Sequence, residues 1–263
     1  FLSDEIKARG IIYDNPIRYM TQDDLKYYLS PSYYFYSNRL AFFLEKKGIV
    51  NDIKNRIETY FESFIIDEIQ DIAGRDFNFL EKLMESNINM LFVGDFYQHT
   101  YDTSRDGNVN RNLFEDKSSY EARFTRRGFI CDHTTLVNSW RCGRAICEFV
   151  TENLGIKMSS NRGDEDNSQI RFISDSSEVA QILDSSNIIK LHYEDGAKYG
   201  IGHKNWGDTK GEDCYQDVCV MLNKATLSKY RTGKLKELPT ITRNKLYVAI
   251  TRAHGNCYLV EER

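Results

Sequence analysis

The chain is poor in the features that would mark several common classes. It has no run of 18 or more apolar residues, so no membrane-spanning helix is expected. No charged-then-apolar segment opens it, which sets aside a secretory signal, and a cytoplasmic location is the expectation. Its six cysteines, Cys131, Cys142, Cys147, Cys214, Cys219 and Cys257, form no CxxC pair and have no histidine at zinc-finger spacing. Reduced thiols follow, rather than a disulfide framework or a zinc site. Excess positive charge is also missing. The net charge is −4, so charge gives no argument for nucleic acid, although a local basic groove would suffice for binding. Internal repeats and low-complexity tracts are absent, and so is the phosphate-loop pattern G-x-x-x-x-G-K-[ST].

What remains is an ordinary globular composition, 41% hydrophobic and 28% charged over 263 residues. That length allows one large or two modest domains with ample buried core. Residues 1–60 read as helical material, with helices expected at Gln22 to Leu29, Asn38 to Lys47 and Ile49 to Tyr60 and a break at Pro31. The pattern then changes. Ser63 to Ile66 and Asn89 to Val93 are short apolar runs, and Asp76 to Glu85 lies between them with Phe79, Leu80 and Leu83 on one helical face. Strand, helix, strand predicts a βαβ unit and a parallel sheet. Asp102 to Ser118 reads mostly as loop. A second α/β region is expected from about Ile130: a helix at Gly143 to Asn153, a flexible stretch at Ser159 to Ser168, a strand at Ile170 to Ile173, a helix at Glu178 to Leu183 and a strand at Asn187 to Leu191. A loop at Tyr193 to Asp208, a strand at Asp217 to Leu222, a helix at Ile241 to Ala253 and a final strand at Cys257 to Val260 complete it.

Five short stretches carry chemistry. Phe64-Ile65-Ile66-Asp67-Glu68-Ile69-Gln70-Asp71 ends a buried strand in adjacent carboxylates. One can hold Mg2+ through water, and its neighbour can take a proton from an attacking water. Val93-Gly94-Asp95-Phe96-Tyr97-Gln98 ends the next strand. Glycine there permits a tight exit, and the Gln98 amide can sense a phosphate or a water. Both clusters fall at the carboxyl ends of strands, where ligands gather in parallel sheets. In Asn138-Ser139-Trp140-Arg141, the indole can stack on a base and the guanidinium can grip a phosphate. Gly207-Asp208-Thr209-Lys210-Gly211-Glu212-Asp213 precedes a strand but lacks phosphate-loop spacing. Tyr247-Val248-Ala249-Ile250-Thr251-Arg252-Ala253 suits a helix with a buried face, with Arg252 either a charge-stabilising finger or a cation at the helix end.

Taken in order, these stretches resemble motifs II to VI of the UvrD/Rep branch of superfamily 1 DNA helicases. Asp67 to Asp71 resembles motif II, Gly94 to Gln98 motif III and Asn138 to Arg141 motif IV. Thr209 to Gly211 resembles motif V, and Tyr247 to Ala253 matches motif VI, Y-V-A-x-T-R-A. The likeness covers roughly 63–260. It implies an α/β architecture of two RecA-like parallel-sheet folds. The first, 1–128, would be incomplete at its N-terminus and carry a helical segment at 1–60; the second is 129–263, with no room for an inserted accessory domain between Arg141 and Thr209. It further implies an ATP-dependent helicase or translocase, with ATP and Mg2+ as cofactors and DNA, expected single-stranded, as partner; a nuclease or other protein subunit would be a further partner. By the same resemblance Asp67 holds Mg2+, Glu68 activates the attacking water, and Gln98 contacts the γ-phosphate. Arg141 and Arg252 reach that phosphate from the second fold, facing the paired acids. Trp140 lies against the adenine, Lys210 and Gly211 belong to the nucleotide side, and Asp213 reaches the ribose. Tyr101, Asn205 and Trp206 line the DNA path.

The sequence departs from the family at several points. Asn205 and Gly207 stand where a DNA-touching Thr and His are usual, and K-G-E-D-C replaces K-G-L-E-F. The chain opens at Phe1, and only 66 residues precede Asp67, fewer than separate the phosphate loop from motif II in relatives. An absent upstream segment, and a chain that alone does not hydrolyse ATP, are the expectations. The alternatives are a non-catalytic helicase-like subunit binding DNA or a protein, and a metal-dependent nuclease, which would leave Arg141 and Arg252 without a role.

Overall fold

A computed structural model describes residues 8–14, 16, 19–101, 108–163 and 166–262. The chain divides into two compact units, Phe1–Cys131 and Asp132–Arg263. It is a mixed α/β protein whose named strands all pair in parallel.

In the first unit, β1 (Gly10–Ile12) pairs with β2 (Tyr34–Tyr36), enclosing the short α1 (Leu25–Tyr28). Asp24 caps that helix by accepting the Lys26 N–H at 2.8 Å, which satisfies a donor the first turn cannot. The Gln22 to Leu29 helix is therefore shorter than its apolar spacing suggests. Then follow α2 (Ser37–Lys46) and α3 (Val50–Tyr60). Tyr27, Tyr28, Leu29, Phe35 and Phe43 make an aromatic core here. Arg39 is buried against it, its guanidinium 3.6 Å from the Tyr27 ring centre and donating to the Tyr27 carbonyl at 2.7 Å.

The expected βαβ unit is present as β3 (Ser63–Ile66), α4 (Gly74–Leu83) and β4 (Asn89–Phe92), with Ile65 opposite Leu91. The helix begins two residues earlier than predicted. Leu80 and Leu83 are buried as expected and Phe79 is half-buried; Phe77 and Met84 complete the buried stripe, with Phe77, Leu80 and Met84 at i, i+3 and i+7. One sheet face, Phe64, Ile66, Met90 and Phe92, packs on that stripe together with Phe114, Tyr120 and Phe124. The last two belong to α5 (Lys117–Thr125), a helix that starts at the end of the stretch read as loop. Part of that stretch, 102–107, lies outside the described residues. The other sheet face is bare: Ile65 is 64% exposed and Leu91 56%.

The second unit opens with β5 (Asn138–Ser139), α6 (Arg144–Phe149), a single π-helical turn Val150–Leu154, and β6 (Ser159–Ser160), which pairs with β5. Then come β7 (Ile170–Ile173), α7 (Ser176–Asp184), β8 (Ile188–His192), β9 (His203–Asn205), β10 (Asp217–Leu222), α8 (Lys224–Arg231), α9 (Thr240–Ile250) and β11 (Cys257–Glu261). Five of these strands form one sheet in the order β7-β11-β10-β8-β9. Central β10 is apolar on both faces, Val218 to Leu222 all buried, as a doubly covered parallel strand requires. Strand β9 falls inside the stretch read as a Tyr193 to Asp208 loop. His203-Lys204-Asn205 has no apolar pattern, and it is a strand because its backbone pairs with Lys190 to His192 at the sheet edge. Helix α9 ends at Ile250. There the Thr251 hydroxyl donates to the Tyr247 carbonyl at 2.8 Å, and the Arg252 side chain folds back into the unit.

Candidate functional site

In the first unit the ends of β3 and β4 are joined by one buried side chain. The ladder continues past Ile66: Val93 donates to the Ile66 carbonyl at 2.8 Å and Ile69 to the Val93 carbonyl at 3.0 Å. Between them Glu68 takes a left-handed conformation, φ 55°, its N–H donating to Asp67 Oδ1 at 2.9 Å. A positive φ is costly for a residue with a side chain and is retained only where the surroundings over-determine it. Here the determinant is Gln70, fully buried. Its amide nitrogen donates to Glu68 Oε2, and its carbonyl oxygen accepts the Asp95 N–H at 3.1 Å. Gly94 makes room for this contact: a β-carbon there would stand 2.2 Å from Gln70 Oε1. Asp95 in turn accepts the Tyr97 N–H at 3.0 Å through Oδ1 and the Gln98 amide at 3.2 Å through Oδ2. A continuous relay thus runs from Gln98 through Asp95 and Gln70 to Glu68. His99, also buried, fixes the Gln70 main chain by placing Nδ1 2.8 Å from its carbonyl, and stacks on Phe114 with ring centres 3.5 Å apart.

The arrangement can orient a base beside a cation. Asp67 is exposed at the strand end and Glu68 is half-buried with one oxygen held by an amide. Among the described residues no three His, Cys, Asp or Glu side chains gather to hold a metal. A single exposed carboxylate nevertheless suits Mg2+, which keeps most of its waters and takes further oxygens from phosphates. Asp67 fits that use.

In the second unit five predicted residues, Arg141, Lys210, Gly211, Asp213 and Arg252, gather around the loop after β9. Arg141 donates Nε to Asp213 Oδ1 and Nη1 to the Thr251 carbonyl at 3.2 Å. The Arg141 guanidinium, with His254 helping, holds the Asp213 carboxyl below its usual range. Arg252 is only 2% exposed. It donates Nε to the Val248 carbonyl at 3.2 Å, and Nη1 to the carbonyls of Thr209 at 3.4 Å and Glu212 at 3.1 Å. In this structure Arg252 therefore fastens the loop bearing Lys210 and Gly211 to α9. Gly211, with φ +78°, supplies the left-handed step that loop needs. Trp140, next to Arg141, is 81% exposed, as a stacking platform must be.

The residues expected along a DNA path fare differently. Tyr101 is 55% exposed. Asn205 is spent on the fold, accepting the Gly196 N–H at 2.7 Å and donating to Asp208 at 2.7 Å. The Trp206 expectation has to be corrected: its ring has no exposed surface, and its indole N–H donates to the Leu191 carbonyl at 2.9 Å. A fully buried ring has no face to offer a base, so Trp206 is a core residue. Sequence reasoning gave no role to Gln70, His99 or His254. Gln70 lay within the quoted acidic motif, and its burial follows from the ladder continuing past Ile66, which spacing does not show. The last of them carried no signal beyond following Thr251-Arg252-Ala253.

No family model matches the chain, and no curated protein matches it. Among solved structures, a complex of arterivirus nonstructural protein 10, a helicase, with DNA aligns at a TM-score of 0.46 and 17% identity, over 75% of this chain and 39% of that one. The PRRSV helicase aligns at 0.45 and 17%, over 75% and 34%. A crystal structure of arterivirus nonstructural protein 10 (helicase) aligns at 0.45 and 14%, over 85% and 57%. This chain spans less than two thirds of the length of each.

Proposed function

We propose that the chain carries the acidic and arginine motifs of an ATP-driven, UvrD-like DNA helicase or single-strand translocase. The observation that carries this is the relay from Gln98 to Glu68 through Asp95 and buried Gln70. A surface acid pair has no need of an internal amide holding its geometry; a base that must respond to a phosphate sensed at the next strand end does. In this reading Asp67 would hold Mg2+, which when bound would neutralise developing phosphate charge. Glu68 takes the proton of the attacking water, and Gln98 reports the γ-phosphate to it. Arg141, whose side chain is 25% exposed, is the better placed phosphate ligand of the two arginines, because Arg252 would have to leave three carbonyls. Trp140 stacks on the base, Lys210 and Gly211 border the nucleotide, and Asp213 takes the ribose. Tyr101 stacks on the single strand, a contact worth ~1–3 kcal/mol per base.

The bare face of the β3–β4 sheet supports a further part of this reading. Parallel strands are stable when both faces are covered, and Ile65 and Leu91 are not. A segment carrying a phosphate-binding loop would complete that sheet. The test is ATP turnover. The described chain alone is expected to hydrolyse no ATP, and a longer form bearing the loop to do so with Glu68→Gln at least ~100-fold slower, the size of a general-base contribution. DNA-stimulated turnover unaffected by Glu68→Gln would sink the reading. Binding of DNA without turnover in any form would favour the non-catalytic subunit instead.

A further inference from the structure

One oxygen in the second unit receives two donors of different kinds. His254 Nε2 lies 2.8 Å from Asp213 Oδ1, the oxygen that also accepts Arg141 Nε. The backbone that carries the ring is fixed on both sides. The main-chain N–H of His254 donates to the Tyr215 carbonyl at 3.0 Å, and its main-chain carbonyl accepts Arg162 Nη1, which also reaches the Arg141 carbonyl at 3.2 Å. The cluster reaches solvent, with side-chain exposures of 25% for Arg141, 59% for Asp213 and 37% for His254. The charged groups of the cluster are Asp213 on the ring, Arg141 on the same carboxylate, Arg162 on the His254 main chain, and buried Arg252, which interacts with both Arg141 and Asp213. A carboxylate oxygen on a guanidinium N–H occupies the place a phosphate oxygen would take. Asp213 therefore stands in for an anion on Arg141.

We propose that Asp213 and His254 form a proton-sensitive clasp on Arg141, in which His254 is a positioning residue that frees the guanidinium for a phosphate when it gains a proton. The proposal rests on the reading that Arg141 takes a nucleotide phosphate. With a neutral ring, Arg141 is, among the described residues, the one cation on Oδ1 and its ion pair is undivided. With a protonated ring, two cations compete for one carboxylate oxygen and repel each other, so the Arg141 bond to Asp213 weakens. The incoming phosphate then meets two positive donors.

The test is calorimetric binding of Mg·ATP at about pH 6 and about pH 8 to the loop-bearing protein, with His254→Gln and Asp213→Asn beside it. Glutamine keeps a donor but never gains charge, and asparagine keeps a neutral acceptor for a ribose. Because His254→Gln retains the nucleotide's own titration, the difference from wild type isolates the ring. Wild type is expected to gain about tenfold in affinity at the lower pH beyond the gain of either variant, the equivalent of one pK unit. Equal gains in wild type and His254→Gln overturn the proposal. If no form binds ATP, the nucleotide reading fails and the clasp is judged by NMR. An Arg141 Nε–H resonance that follows the His254 ring titration in wild type, and stays still in His254→Gln, supports it; a resonance flat in both overturns it.

Discussion

At the scale of single residues, the acid pair depends on one neutral side chain. Gln70 is a fully buried amide whose two ends serve two different strand ends. Buried polar groups that lose a partner incur their desolvation cost, ~1–3 kcal/mol. Gln70→Ala leaves the Asp95 N–H without its acceptor and releases the Glu68 carboxylate from its amide. It is expected to lower the unfolding free energy by about 1–3 kcal/mol, read from urea midpoints. Turnover in the loop-bearing protein should fall at the same time. A variant as stable as wild type would show that the amide is not holding the strand ends. The buried thiols at this scale are inert. Burial pushes Cys147 and Cys219 up to about 12 and Cys257 well above its ordinary value, whereas Cys214 is exposed.

At the scale of elements, α4 and α5 are clamped by charge as well as by aromatic rings. Glu81, its side chain 10% exposed, takes Arg123 on both oxygens, at 2.6 and 2.5 Å, and Arg127 at 3.0 Å. Asn110 joins in, donating to the Gly74 carbonyl and to Asn78 at 2.7 Å each. The bidentate fork is the geometry in which an arginine pair is strongest. Removing one partner of a buried pair leaves the other uncompensated, which costs ~3–5 kcal/mol when burial is complete. Arg123 and Arg127 remain about a third exposed, so Glu81→Ala should lie at the lower end of that range, near ~3 kcal/mol. Chemical denaturation of the chain checks this. Charge reversal at the exposed Arg171–Glu178 pair is the control, expected to change stability by less than ~1 kcal/mol.

At the scale of the whole molecule, the two units differ in how their sheets are finished. The five-stranded sheet of the second unit buries its central strand on both faces. The β3–β4 pair of the first unit covers one face and shows Ile65 and Leu91 on the other. Residues exposed to this degree contribute little to stability. The double variant Ile65→Thr, Leu91→Thr is therefore expected to unfold within ~0.5 kcal/mol of wild type. Bare apolar sheet promotes association, so the same variant should self-associate less at high concentration, as light scattering reads it. A loss of several kcal/mol would mean that the face is covered after all.

The sequence by itself determined the strand and helix order around the chemistry. Alternation, apolar runs and the acids that end them are local properties, and β3, α4, β4, β7, β8, β10 and β11 came within a residue or two of where spacing put them. It also placed Asp67, Glu68, Gln98, Arg141 and Arg252 in recognisable motifs. Tertiary structure alone decided what those side chains touch. Strand β9 exists because its backbone pairs at a sheet edge, not because His203 to Asn205 favours a strand. Trp206 is buried because the chain turns inward there, and no pattern in one dimension distinguishes a stacking tryptophan from a core one. Gln70 and His254 matter through partners 25 and 41 residues away. Such contacts arise from chain reversals that local propensity does not encode.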